Sequence, residues 1–285
     1  MNLRTDLDPL DLAKTLGCGQ TFRWRVLPDG SWRGPLDDQL VVLSKSANSK
    51  LRIRAEPGRE DAVRLVREHL RADDDIGSIQ NSLRLMDPVL GNGMRGLKGL
   101  RLVKIDEWEC LVSFALATYA NIPRISKMIE TLAMRYGDPI ADGVHRFPTR
   151  SRLADASESE LRGCGLGYRA AYIRAIAEDL TDDRLESMKD MEFEELRDAL
   201  KELPGVGDKV ADCVALFGFG RLEAFPIDVW IERALARLYH RKGTYQRLRE
   251  FASRRFGPYA GYAQEYLYYN ERAHAPGGAC LFSEE

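Results

Sequence analysis

Cysteine is scarce in this chain, five in 285 residues, and none of them forms a Cys-x-x-Cys pair. The scatter of Cys18, Cys110, Cys164, Cys213 and Cys280 fits a reducing compartment better than a disulfide scaffold. That spacing also argues against zinc and against a four-cysteine iron–sulfur cluster. The four histidines, His69, His145, His240 and His274, show no metal-ligand spacing, so neither a metal nor a cofactor is expected. No apolar run approaches the ~20 residues that cross a bilayer. Met1 to Leu12 carries Asp6, Asp8 and Asp11 and no apolar core, so a secretion signal is not expected either. Positive charge is not in excess. A net charge of −2 excludes a uniform coat for nucleic acid and confines any phosphate contact to local patches. Repeats and low-complexity tracts are also missing.

What is present is a chain 44% hydrophobic and 30% charged, long enough for two or more packed subdomains. From Gln20 to Arg54 the pattern is strand-like: Phe22, Trp24 and Val26 alternate with Arg23 and Arg25, Pro28-Asp29-Gly30 is a turn, and 39–43 and 51–53 are further short runs. Residues 58–70 and 76–85 have helical spacing, and the glycine-rich stretch 91–99 reads as a loop or crossing. After a boundary near Lys104 the pattern is helical throughout, with helices expected over 107–119, 123–136, 158–164, 168–180, 192–203, 209–217, 229–239, 245–256 and 259–273. The expected class is α+β: an antiparallel β-rich domain over residues 1–104, then a helical domain over 105–285.

The most informative stretch is Leu203-Pro204-Gly205-Val206-Gly207-Asp208-Lys209, a tight hairpin over 203–209 that opens onto a helix start. Its glycines permit positive φ and close backbone approach, and amides at a helix N-terminus suit phosphate. The helix macrodipole disfavours an ammonium on Lys209 and favours the neutral, nucleophilic amine. Asp228 arrives about one helix later, at the N-cap position of 229–239. A lysine and an aspartate at a phosphate site suggest chemistry on DNA. Cys213 lies one helical turn after Lys209, and Gln264 and Tyr268 share a face of the last helix, so these side chains can line one pocket. Between Arg237 and Arg255 seven basic residues face the single acid Glu250, which makes either a solvated helix face or a phosphate contact.

The hairpin with Lys209 and Asp228 resembles the helix-hairpin-helix DNA glycosylases and, within them, the 8-oxoguanine DNA glycosylases. Further matches follow in the family's order: Cys18-Gly19-Gln20-Thr21-Phe22-Arg23-Trp24, Asn121-Ile122-Pro123-Arg124-Ile125, Gly165-Leu166-Gly167-Tyr168-Arg169-Ala170 and Gly257-Pro258-Tyr259-Ala260-Gly261-Tyr262-Ala263-Gln264. The resemblance implies a β-rich domain followed by two helical lobes with the active cleft between them. It implies a bifunctional enzyme that removes 8-oxoguanine flipped out of double-stranded DNA and then cuts the strand at the abasic site as a lyase, with Lys209 as nucleophile and Asp228 supporting charge on the sugar. Gly205 and Gly207 would grip the backbone. Cys213 and Tyr268 would sandwich the base, Gln264 would read its Watson–Crick edge, and the Gly19 carbonyl would accept the N7 hydrogen of 8-oxoguanine. Tyr168 would wedge the stack, while Arg169 and Arg124 would contact the orphaned base.

The sequence departs from the family at Tyr119, where an asparagine normally fills the vacated space, and at Trp230, where relatives often have a histidine. A monomer acting in the cytoplasm, nucleoid or nucleus is expected, with no membrane partner. Two other readings stay open: a glycosylase of this superfamily for another lesion, against which Gly19, Cys213 and Gln264 argue, and a noncatalytic clamp, which needs neither Lys209 nor Asp228.

Overall fold

The structure is a computed structural model that describes residues 2–45 and 50–273; His274 and Cys280 lie outside the described residues. The first unit is an antiparallel sheet of five strands, β1 (Asn2–Thr5), β2 (Arg25–Val26), β3 (Trp32–Leu36), β4 (Gln39–Lys45) and β5 (Leu51–Glu56), in the order β1-β5-β4-β3-β2. Strand β5 shows why it forms: Leu51, Ile53 and Ala55 are buried while Arg52, Arg54 and Glu56 face water, the period of a half-buried strand. Register aligns a row of apolar residues across the sheet, with Trp32 opposite Leu43, Leu43 opposite Ile53 and Ile53 opposite Leu3.

The expected alternation between Gln20 and Trp24 does not form a strand. Gln20, Thr21, Phe22, Arg23 and Trp24 are all buried, so the segment is enclosed on every side. Its polar side chains act as bolts. Gln20 Nε2 donates to the carbonyls of Thr15 and Arg101, both at 2.8 Å, and its Oε1 accepts the Val103 amide at 2.9 Å. Arg23 reaches Glu130, Glu109 and the His145 carbonyl, which ties this unit to the helices.

The helices are α1 (Leu12–Leu16), α2 (Ala62–His69), α3 (Ile76–Met86), α4 (Pro88–Gly93), α5 (Glu107–Leu116), α6 (Ile122–Tyr136), α7 (Arg150–Asp155), α8 (Glu158–Leu161), α9 (Arg169–Asp179), α10 (Asp182–Ser187), α11 (Phe193–Lys201), α12 (Asp208–Phe217), α13 (Val229–Tyr239), α14 (Tyr245–Phe256) and α15 (Ala260–Ala273). A two-stranded ribbon, β6 (Pro139–Ala141) with β7 (Val144–His145), interrupts them.

Three expectations are corrected. The helix expected to run to Tyr119 stops at Leu116, because Tyr119 turns to φ +53° and Asn121 then caps α6 through the Arg124 amide. Part of the glycine-rich stretch is helical: Asp87 caps α4 and Pro88 starts it. The short α7 and α10 were missed, although Thr149 and Thr181 stand at their N-caps as the visible signal. Among the described residues no helix is long and apolar enough to cross a membrane.

Helices α5 and α12 pack together on one side, α13 and α15 on the other. The second pair is anchored to α3 and the turn before it: Gln80 Nε2 donates to Tyr266 Oη at 3.0 Å, and Tyr262 donates to Asp74 at 2.6 Å. The site lies between the two pairs.

Candidate active site

At the α11–α12 hairpin only one of the two glycines uses its conformational freedom. Gly205 has φ +76°, and a Cβ there would stand 2.7 Å from the Tyr172 ring. Gly207 is extended at φ −98°, ψ −178°, which corrects the expectation of a second left-handed residue. It serves instead as an N-cap without a side chain, with open space where a Cβ would be, so no side chain covers the first amides of α12.

A buried polar network braces the hairpin from behind. Arg197 Nε donates to Asp212 at 2.7 Å and its Nη2 to Asp208 at 2.5 Å. The Tyr245 hydroxyl donates to Asp212 at 2.5 Å and accepts the Ile227 amide at 3.2 Å. Burial raises the Asp212 carboxyl above its ordinary range, while Tyr245 and Arg197 pull it down. One network therefore fixes both α12, which carries Lys209, and the segment that leads into Asp228.

Lys209 Nζ sits 5.1 Å from the centroid of the Phe114 ring and next to the Cys213 thiol. Burial pushes that thiol up to about 12 against the opposing pull of Lys209, so Cys213 is a packing surface and not a nucleophile. Asp228 caps α13, its Oδ1 accepting the Trp230 and Ile231 amides at 2.9 and 3.0 Å. Those two bonds hold the carboxylate in a fixed orientation.

Lys209, Asp228, Cys213, Gln264, Tyr268 and Gly19 all border one cavity of about 890 Å³, within the usual size range of ligand sites. Gln264 is 5% exposed, and its Oε1 has no hydrogen-bond partner. The Tyr268 hydroxyl is driven up by burial and accepts from Arg272 Nη1 at 3.2 Å. The same guanidinium donates to the Cys18 carbonyl at 3.0 Å and so fixes the turn that presents Gly19. Gly19 has φ +104°, and a Cβ would meet Ile122 Cδ1 at 2.5 Å, so only glycine fits. Phe114, Arg272 and Glu265 were not anticipated; for Glu265 and Arg272 the available signal was their place beside Gln264 and one turn after Tyr268.

The residues expected to meet the DNA stack lie at the rim or outside it. Tyr119 lines the mouth of the cavity with 92% of its side chain exposed. Tyr168 is half exposed and edge-on to Tyr172. Arg124 is exposed on α6. Arg169 is different: it is 2% exposed, stacked on Tyr168, and donates from Nε to the Thr118 carbonyl at 3.0 Å, with Nη2 on the same oxygen. It fastens the turn that carries Tyr119 through Nε and Nη2, which leaves the Nη1 donors outside that contact. In the basic run, Arg237, Arg249 and Arg255 pair with Glu271, Glu194 and Asp87, so much of that charge is spent internally.

Residues 2–111 match the 8-oxoguanine DNA glycosylase N-terminal domain, and residues 112–258 match the HhH-GPD superfamily of base excision DNA repair proteins. The N-glycosylase/DNA lyase OGG1 of Arabidopsis thaliana is 32% identical over 92% of this chain and 77% of its own. The structure of MBOgg1 in complex with a low-affinity DNA ligand superposes with a TM-score of 0.89 at 35% identity, covering 95% of this chain and 94% of that one. The apo-form of the Clostridium acetobutylicum 8-oxoguanine glycosylase/lyase gives a TM-score of 0.87 at 28% identity, over 95% and 98% of the two chains. Family models that together span residues 2–258, and a relative 32% identical over 92% of this chain, show that this chain belongs to the 8-oxoguanine DNA glycosylase family of helix-hairpin-helix base-excision repair proteins.

Proposed function

We propose that this chain excises 8-oxoguanine from double-stranded DNA and then cuts the strand at the abasic site through Lys209. The observation that carries the reading is the meeting, in one cavity, of an amine, a fixed carboxylate and an unpaired amide oxygen on Gln264. The Lys209 amine attacks C1′, the base departs with the C1′–N9 electron pair, and the resulting aminal opens to a Schiff base. Loss of a proton from C2′ then expels the 3′ phosphate. Asp228, oriented by two amides, stabilises positive charge on the sugar during bond breaking.

Gln264 accepts from the Watson–Crick edge of the flipped base, Cys213 and Tyr268 enclose its faces, and the Gly19 carbonyl accepts the N7 hydrogen. Gly205 and Gly207 bring backbone amides to a phosphate, Tyr168 wedges the stack, and Tyr119, Arg124 and Arg169 serve the opposite base. In this reading residues 1–104 supply the Gly19 turn and residues 105–285 supply the rest, in a monomer that works where DNA is, in cytoplasm, nucleoid or nucleus.

The test is incubation with a duplex containing a single 8-oxoguanine in the presence of borohydride. A covalent protein–DNA adduct is expected. Trapping on a preformed abasic site but not on 8-oxoguanine would reassign the lesion, and trapping on neither would refute the chemistry.

A further inference from the structure

Glu265 follows Gln264 on α15 and is 2% exposed, yet its Oε1 has no hydrogen-bond partner. Both side chains border the same cavity. Neighbouring residues on a helix point about 100° apart, so their polar ends serve different edges of whatever lies between them. Gln264 goes with Tyr268, one turn on. Glu265 goes with the Cys18–Gly19 turn, whose thiol rests against its carboxyl.

The groups that act on this carboxyl are Cys18 from the turn after α1, Asp228 from the start of α13, and Arg272, Tyr266 and Tyr268 from α15 itself; Lys209 shares the cavity. Burial raises the carboxyl to about 7 and Asp228 pushes the same way, while Cys18 and Arg272 oppose them. A buried acceptor with no partner is unfavourable in the free protein, and a ligand that supplies an N–H relieves it.

We propose that Glu265 is a specificity-determining residue for the flipped base: as a carboxylate it shares with the Gly19 carbonyl the N7–H that an 8-oxopurine carries and adds to the repulsion of the lone pair an unmodified purine presents there. This rests on the function proposed above. A purine held at its Watson–Crick edge by Gln264 turns its imidazole edge away from that amide, toward the Gly19 turn and Glu265. The protonated carboxyl has the opposite preference, because its O–H can donate to a bare N7. Discrimination therefore increases as pH rises through the carboxyl's titration and falls below it to what the Gly19 carbonyl supplies alone.

Single-turnover excision from duplexes carrying 8-oxoguanine or 8-methoxyguanine tests this, since the second base keeps an oxygen on C8 but has no N7–H. Both rates are normalised to cleavage of a preformed abasic site, which has no base to read. In the wild type the ratio of the two rates should rise about tenfold between roughly pH 6 and 8.5, the worth of one charge-assisted hydrogen bond. Glu265→Gln should lower the ratio about tenfold at the upper end and flatten the profile. Cys18→Ala, which removes a group that favours the charged carboxyl, should move the midpoint to higher pH and gives a second route should the glutamine variant not fold. A wild-type ratio that does not change with pH, or one that Glu265→Gln leaves intact, overturns the assignment while the proposed function stands. A wild type that cuts abasic sites and excises neither base overturns the functional reading, and this inference with it.

Discussion

On the α12–α13 side of the cavity Asp228 and the backbone around Lys209 are held before any substrate arrives, whereas on the α15 side two buried acceptors are left open. Asp228 Oδ1 already takes two amides, and the Arg197–Asp212–Tyr245 network locks the backbone on either side of Lys209 and Asp228. Gln264 Oε1 and Glu265 Oε1, by contrast, are buried with no partner. Under the proposed function, the difference follows from what each wall has to do. Bond breaking needs groups that do not reorganise in the transition state. Discrimination needs groups whose desolvation is compensated only by the right ligand, since an unpaired buried acceptor penalises the wrong one.

The comparison breaks most visibly at Lys209. Lys209→Gln should abolish borohydride trapping and strand cleavage on both 8-oxoguanine and abasic duplexes, a loss on the order of a thousandfold or more, while lesion binding persists. Adduct formed by the variant at wild-type level would move the nucleophile elsewhere.

Asp228→Asn comes next. The amide oxygen can still accept from Trp230 and Ile231, so melting should shift by the equivalent of less than about 1 kcal/mol. Excision should fall about a hundredfold, because the negative charge is gone. A collapse of the melting temperature with little change in the rate per folded molecule would make Asp228 a cap and nothing more.

Gln264→Ala probes the opposite wall. Excision of 8-oxoguanine should drop about tenfold, the value of a single hydrogen bond, and the abasic site should be cut nearly as before. Equal loss on the two substrates would erase the distinction between the walls.

The smallest effect is expected at Tyr119, outside both. Its φ of +53° is unfavourable for tyrosine and better tolerated by asparagine, so Tyr119→Asn should stabilise the fold by about 0.5–1 kcal/mol in thermal melts. An exposed ring stacks on any base, whereas an amide pairs selectively. The substitution should therefore raise the preference for cytosine over adenine opposite the lesion about two- to fivefold, measured by single-turnover excision. A wild type that is already as strict as the variant would show that Tyr119 stays out of the gap.

Long elements with one dominant pattern could be read directly from the residues. β5 alternates cleanly, α13 and α14 begin behind Asp228 and Thr244, and the hairpin is fixed by its own glycine and proline. The pattern misled where burial was complete or an element was short. Between Gln20 and Trp24 apolar and polar residues alternate, yet both sets are enclosed, because Gln20 and Arg23 find carbonyl and carboxylate partners far away in the chain. For α7 and α10 a single turn or so of helix carries too little periodicity, and only the threonine caps announced them.

The amino-acid sequence by itself determined which candidate groups the proposed chemistry draws on, since the hairpin, Lys209, the Asp228 cap and Gln264 are local signals that can be read without the fold. Tertiary structure alone decided which groups are free. Arg169, a candidate for the orphaned base, is bound to Thr118, and much of the basic run is paired with acids. Glu265, an ordinary helical glutamate on paper, is buried and unpaired at the edge of the cavity. The physical reason is that hydrogen-bond satisfaction and desolvation depend on partners brought together from distant parts of the chain, and neither can be counted until the fold has closed around them.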